Sequence, residues 1–172
     1  MLIAKITDSY FYGGEPQYID SNTSYNVRGV LYDNSGNAAF MKIENSEYYK
    51  LPGGRIEITE TPEQAFIREI NEQTGYQAEM IGYLGWIEEH KAKRKLCTVS
   101  HCFAARIISD NCNTDVLQEA QRRLGFKLEW LNFNDAMGMY STLSDGSKEY
   151  QINFMLKREL LIMQKASELF PA

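Results

Sequence analysis

The stretch Leu51–Tyr76, LPGGRIEITETPEQAFIREINEQTGY, decides how this chain is read. Thr61-Pro62-Glu63-Gln64 has the chemistry of a helix start. Thr61 can accept from a backbone N–H, Pro62 suits the first helical position, and Gln64 stands where a capping box wants Glu or Gln. Gly75 suits the far end, so the spacing predicts a helix over Pro62–Thr74. Phe66 and Ile70 lie one turn apart and form its buried stripe. Glu69, Glu72 and Gln73 stand at i, i+3 and i+4, so they share another face. Carboxylates crowded there repel one another unless something positive sits between them. A hard divalent cation takes oxygen ligands and keeps water or substrate phosphate in its other positions. The pair Gly53-Gly54 lets backbone approach that face and offers a carbonyl oxygen.

Outward from this stretch, β-formers and turn signals alternate. TSYNVRGVLYD reads as a strand closed by the turn DNSGN, with AAFMKIE as its hairpin partner and EYYKLP extending the sheet. QAEMIGYLGWIEEH and KLCTVSHCFAARII read as strands joined by the charged turn HKAKRK. SDNCNTDVLQEAQRRLG reads as a loop with a short helix, FKLEWLNF as a strand, and NFNDAMGMY as a helix start. In KEYQINFMLKRELLIMQKASELF, residues Ile152, Leu156, Leu160, Met163 and Phe170 recur at near-helical spacing, predicting a long final helix. The order predicts an α/β (α+β) sandwich with a mixed sheet. Residues 1–23 are expected to form a strand or hairpin extension, and 24–172 the main domain. The aromatics Tyr10, Phe11, Tyr12 and Tyr18 either pack that extension on the sheet or make an aromatic wall for a base or a homodimer contact.

The chain has 172 residues, 44% hydrophobic and 24% charged, which fits one soluble domain with a sizeable core. A net charge of −5 repels a nucleic-acid backbone, so no nucleic-acid partner is expected. No apolar run reaches the ~20 residues that a membrane helix needs. No basic head with a long apolar stretch marks a signal peptide, so a cytoplasmic location is expected. Cys97, Cys102 and Cys112 have no zinc spacing and read as small apolar residues.

Gly54, Glu60, Arg68, Glu69, Ile70, Glu72, Gly75 and Tyr76 fall on the pattern G-x5-E-x7-R-E-U-x-E-E-x-G-U, with U a bulky apolar residue. The chain therefore resembles the Nudix hydrolase family, MutT-like, and the strand order on both sides resembles its α/β/α sandwich. The resemblance implies hydrolysis of a nucleoside diphosphate linked to another moiety, a small nucleotide-type substrate, with Mg2+ or Mn2+. It implies that Arg68 and Glu60 brace the loop against the helix. It implies that Glu69 and Glu72 hold metal and orient the attacking water, with the Gly53 carbonyl joining the coordination. Gln73 stands where the family has its last Glu. Gln keeps an oxygen ligand but loses a charge, so a catalytically weakened binding or regulatory module is the alternative reading.

Other carboxylates are candidates to supply the missing charge: Glu119, expected on a loop where the family often places a distal metal ligand, and Glu88 or Glu89 beside Trp86. Arg28, on a strand where related proteins often contact phosphate, and Arg55, just after the Gly pair, are the expected substrate contacts. His101 alternates with Val99 and Phe103 and reads as a hydrogen-bonded core histidine.

Overall fold

The computed structural model describes residues 1–143 and 149–170. Lys148, the first residue of the stretch predicted as the final helix, lies outside them, as do the other residues of 144–148 and 171–172. Among the described residues, seven strands build one mixed sheet: β1 (Leu2–Thr7), β2 (Thr23–Tyr32), β3 (Asn37–Ile43), β4 (Tyr49–Lys50), β5 (Ala78–Lys91), β6 (Leu96–Ile107) and β7 (Phe126–Asn132). The sheet runs β1-β5-β6-β2-β3-β4, and β7 pairs with β3. β1 pairs with β5, and β2 with β6, in parallel; the other pairings are antiparallel. Among the described residues, five α-helices attend it: α1 (Asp8–Tyr12), α2 (Pro62–Thr74), α3 (Thr114–Leu124), α4 (Phe133–Leu143) and α5 (Tyr150–Leu169). No helix among the described residues is long and apolar enough to cross a membrane.

Both sheet faces are covered, so the central strands read as near-continuous apolar runs rather than strict alternations. Against α2, the buried set is Val27, Leu31, Ala39, Phe66, Ile70 and Phe103, among others. Against α4 and α5, it includes Val30, Phe40, Ile87, Tyr140, Phe154 and Met163. Phe11 and Tyr12 pack against this second layer. The Phe11 ring meets Phe154 at 5.0 Å and Tyr12 stacks on Tyr150 at 6.2 Å, so β1 is followed by a helix tied to α5 rather than by a second strand of a hairpin.

β2 and β3 form the predicted antiparallel hairpin at its turn, where Tyr32 pairs with Ala38 and Asp33 N donates to Asn37 O, and the two strands then part. The rest of that edge of β2 is taken by residues 52–56. Gly29 N donates to Pro52 O, Val27 N to Gly54 O and Ile56 N to Tyr25 O. The gap between two strands thus seats the glycine loop against the middle of the sheet.

Candidate functional site

Two glycines make this seat possible. Gly53 adopts φ +142°, and a Cβ there would meet Val27 O at 2.2 Å. A Cβ on Gly54 would fall 2.2 Å from Glu69 Oε1, so the missing side chain leaves room for that carboxylate. Behind the loop, Arg28 Nη1 donates to Leu51 O and to Gly53 O, both at 3.0 Å.

Helix α2 supplies the other wall. Its capping box is complete: Thr61 Oγ1 accepts from Gln64 N at 3.3 Å, and Gln64 Oε1 accepts from Thr61 N at 2.9 Å. Gly75 closes it in the left-handed conformation. From this helix Arg68 spreads over the whole site. Its Nε and Nη2 form a fork onto Glu60 at 2.9 and 2.6 Å, Nη2 also reaches Arg55 O, and Nη1 is shared by Glu69 Oε1 and Glu72 Oε2 at 3.1 and 3.2 Å. The fork onto Arg68, with the Glu57 N–H, holds the Glu60 carboxyl down to about 2. The same hydrogen bond to Glu60 holds the Arg68 guanidinium above its ordinary value. Three carboxylates around one guanidinium leave an excess of negative charge beside a depression lined by Arg55, Ile56, Ile58, Arg68 and Glu69.

Gln73 is buried, 7% exposed, and fully bonded. Its Oε1 accepts from Gly53 N at 3.2 Å, while Nε2 donates to Gly53 O at 3.0 Å and to Glu69 Oε2 at 2.7 Å. The expected metal ligands thus divide. The Gly53 carbonyl already accepts from Arg28 and Gln73, and both Glu69 oxygens accept from N–H groups. This inner set does not fit a cation as it is arranged. Glu72 is different: its side chain is 47% exposed, and its Oε1 has no partner among the described residues. A cation at this edge would take one carboxylate oxygen from the protein and its other ligands from water and phosphate oxygens. No group of three or more His, Cys, Asp or Glu side chains placed to hold a metal occurs among the described residues.

The structure gathers Gly53, Gly54, Glu60, Arg68, Glu69, Glu72, Gln73 and Arg28 into one site. Arg55 is exposed at its rim. Glu119 is not gathered: it lies within α3 rather than on a loop, is exposed, and pairs with Arg122. Nor do the strand carboxylates supply a charge. Glu88 is held by Lys5 at 2.9 Å and Trp86 Nε1 at 3.2 Å, and Glu89 turns to the opposite layer, onto Lys91 and Arg158. His101 is half-buried and bonds the Tyr83 hydroxyl through Nδ1 at 3.1 Å. Burial lowers its pKa.

The family model of the NUDIX domain matches residues 23–150 of this chain. The chain belongs to the Nudix family. Curated relatives are RNA pyrophosphohydrolases from Pseudomonas aeruginosa, 33% identical over 79 residues, and from Pseudomonas fluorescens, 32% identical over 79 residues. Each alignment covers 44% of this chain, and the chain spans about half the length (50%) of those relatives. Among solved structures, a UDP-X diphosphatase superimposes with a TM-score of 0.56 at 13% identity, covering 86% of this chain and 64% of that one. A NUDIX hydrolase from Nitrosomonas europaea gives 0.54 at 17% identity, covering 86% and 88%. A MutT NUDIX hydrolase from Burkholderia pseudomallei gives 0.54 at 17% identity, covering 80% and 98%. These neighbours share the fold.

Proposed function

We propose that this chain hydrolyses a diphosphate anhydride in a small nucleotide-type substrate, using Mg2+ or Mn2+. The observation that carries the reading is Arg68 held among Glu60, Glu69 and Glu72 against the Gly53-Gly54 loop. Arg68 and Glu60 fix the loop, and Arg28 braces its carbonyls from behind. Glu72 Oε1 is the one carboxylate oxygen of the cluster without an N–H partner among the described residues, so it is the oxygen open to orient the attacking water at the cation's edge. Arg55, exposed at the rim, meets the substrate phosphates. A cation bound at the Glu72 edge supplies charge neutralisation and a more acidic water. Residues 1–23 serve as an extension that packs on the sheet and α5.

The relatives' names give two substrate classes to try, RNA with a terminal phosphoanhydride and uridine diphosphate derivatives. A panel of these with nucleoside triphosphates, sugar nucleotides and dinucleoside polyphosphates, assayed with Mg2+ and with Mn2+, tests the proposal. Hydrolysis of one class, abolished by excess EDTA and lowered by about a hundredfold or more by Glu72→Gln, is the expected result. The full bonding of Gln73 favours a second reading, a nucleotide-binding or regulatory module. Calorimetric binding of a panel member with no turnover under any metal would select it.

A further inference from the structure

The amide of Gln73 does something a carboxylate cannot. Its nitrogen lies between two oxygens, Gly53 O and Glu69 Oε2, at 3.0 and 2.7 Å. Its oxygen faces the Gly53 N–H. Only this orientation works, because the flipped amide would set its oxygen against two acceptors and its NH2 against a donor. Both N–H groups and the oxygen are used, in a residue 7% exposed. Converging oxygens of a carbonyl and a carboxylate are what a hard cation ligates. Here they converge on an NH2 group, with Arg28 Nη1 as a second donor to the same carbonyl.

We propose that the Gln73 amide replaces a cation at the Gly53–Glu69 position, locking the glycine loop to α2 without metal. The folded site is then already closed in the absence of a divalent ion, and any ion used in turnover binds outside the clasp, at Glu72. A Glu at position 73 would put a third set of lone pairs against Gly53 O and Glu69 Oε2. That arrangement holds together only with a cation between them. The inference takes the site's location from the reading above, but its test needs no turnover.

The test compares thermal unfolding of the wild type, Gln73→Glu and Gln73→Leu in excess EDTA and in millimolar Mg2+ or Mn2+. The wild type should melt at nearly the same temperature in both. Gln73→Glu should melt roughly 5 °C or more lower in EDTA and recover most of that loss with the ion. Gln73→Leu should lose stability in both, with no rescue. Mn2+ titration by electron paramagnetic resonance gives a second measurement if a variant fails to fold. Wild-type Mn2+ binding should be weak and abolished by Glu72→Gln, and Gln73→Glu should bind about tenfold tighter or more. The clasp is overturned if the wild type gains as much from the ion as Gln73→Glu does, or if Gln73→Glu shows no dependence on it. Wild-type Mn2+ binding that survives Glu72→Gln overturns it too. Failure of the substrate panel alone would count against the proposed hydrolysis and leave these melting curves to decide the clasp.

Discussion

Two arginines in this molecule hold clusters of carboxylates, one on each side of the sheet, and they do so under opposite conditions. Arg68 stands at the mouth of the glycine loop, 25% exposed, with Glu72 open to water. Arg158, on α5, is buried and bonds Glu89 at 3.0 Å and Glu159 at 2.5 Å, both fully buried. Lys91 adds a further cation to Glu89 at 3.1 Å. In the mouth, water completes whatever the protein leaves unbonded. In the core it cannot, and among the described residues Arg158 Nε, Glu159 Oε2 and Ser100 Oγ have no hydrogen-bond partner. Burial alone would raise the Glu89 carboxyl, but the charges of Arg158 and Lys91 outweigh it and hold the group below its ordinary value. The comparison teaches that the same grouping gives chemistry where one oxygen stays available, and architecture where every charge must be neutralised in place.

The largest expected effect lies in the core. Arg158→Met removes the shared partner of two buried carboxylates and should cost about 3–5 kcal/mol in urea unfolding. Arg68→Met should cost much less, because water can solvate the carboxylates it releases. Equal losses for the two would break the comparison.

At the mouth the expected effect is on rate. Glu72→Gln should leave unfolding unchanged within about 0.5 kcal/mol, since its side chain is half in water. On whichever panel substrate is turned over, it should lower kcat/KM by about a hundredfold or more. A large fall in stability with intact turnover would move Glu72 from the chemistry to the scaffold.

These two clusters were not equally legible in the sequence. Helix α2 was readable to its ends, because Thr61, Pro62 and Gln64 open it, Gly75 closes it, and each acts through neighbours in sequence. Arg68 and its carboxylates fall within one helix and one loop, so spacing exposed them. Arg158 and Glu159 stand among the apolar positions of α5, and periodicity recorded Leu156 and Leu160 while passing over the charges between them. Their partner Glu89 arrives from β5, and single-sequence spacing says nothing about which of Glu88 and Glu89 turns inward. The Gln73 clasp was hidden for the same reason. Its meaning depends on the N–H and C=O of Gly53, brought there by a loop that replaces β3 along the edge of β2. That replacement is also why the hairpin of β2 and β3 pairs only near its turn.

A smaller effect separates the clusters by pH. The folded Glu60 carboxyl lies at about 2, below its ordinary unfolded value near 4.3. A depressed carboxylate contributes stability that is complete above the unfolded value and is lost as pH falls through the folded one. The wild type should therefore lose stability between about pH 4.3 and pH 2 through this group. Glu60→Gln should lack that component, flattening the acid limb of the urea midpoint against pH. Glu89 is also depressed, so some acid sensitivity should persist in the variant. An unchanged acid limb would mean that the bond between Arg68 and Glu60 contributes nothing to stability in water.

The smallest effect is expected at Glu119. Its side chain is 58% exposed, and its partner Arg122 is 78% exposed on the next turn of α3. An exposed i,i+3 pair contributes about 0.2–0.5 kcal/mol, and salt screens it. Glu119→Gln should therefore leave both the unfolding midpoint and kcat/KM close to wild type, while Glu72→Gln does not. The contrast is informative because both are exposed glutamates on helices, differing chiefly in what surrounds them. Glu72 shares the Arg68 guanidinium with the loop-bracing Glu60, whereas Glu119 pairs with a neighbour on its own helix. If Glu119→Gln lowered kcat/KM as far as Glu72→Gln, α3 would have to approach the mouth during turnover, and the site would be larger than the ring around Arg68. Unchanged kcat/KM would confine the chemistry to the face that α2 presents to the glycine loop.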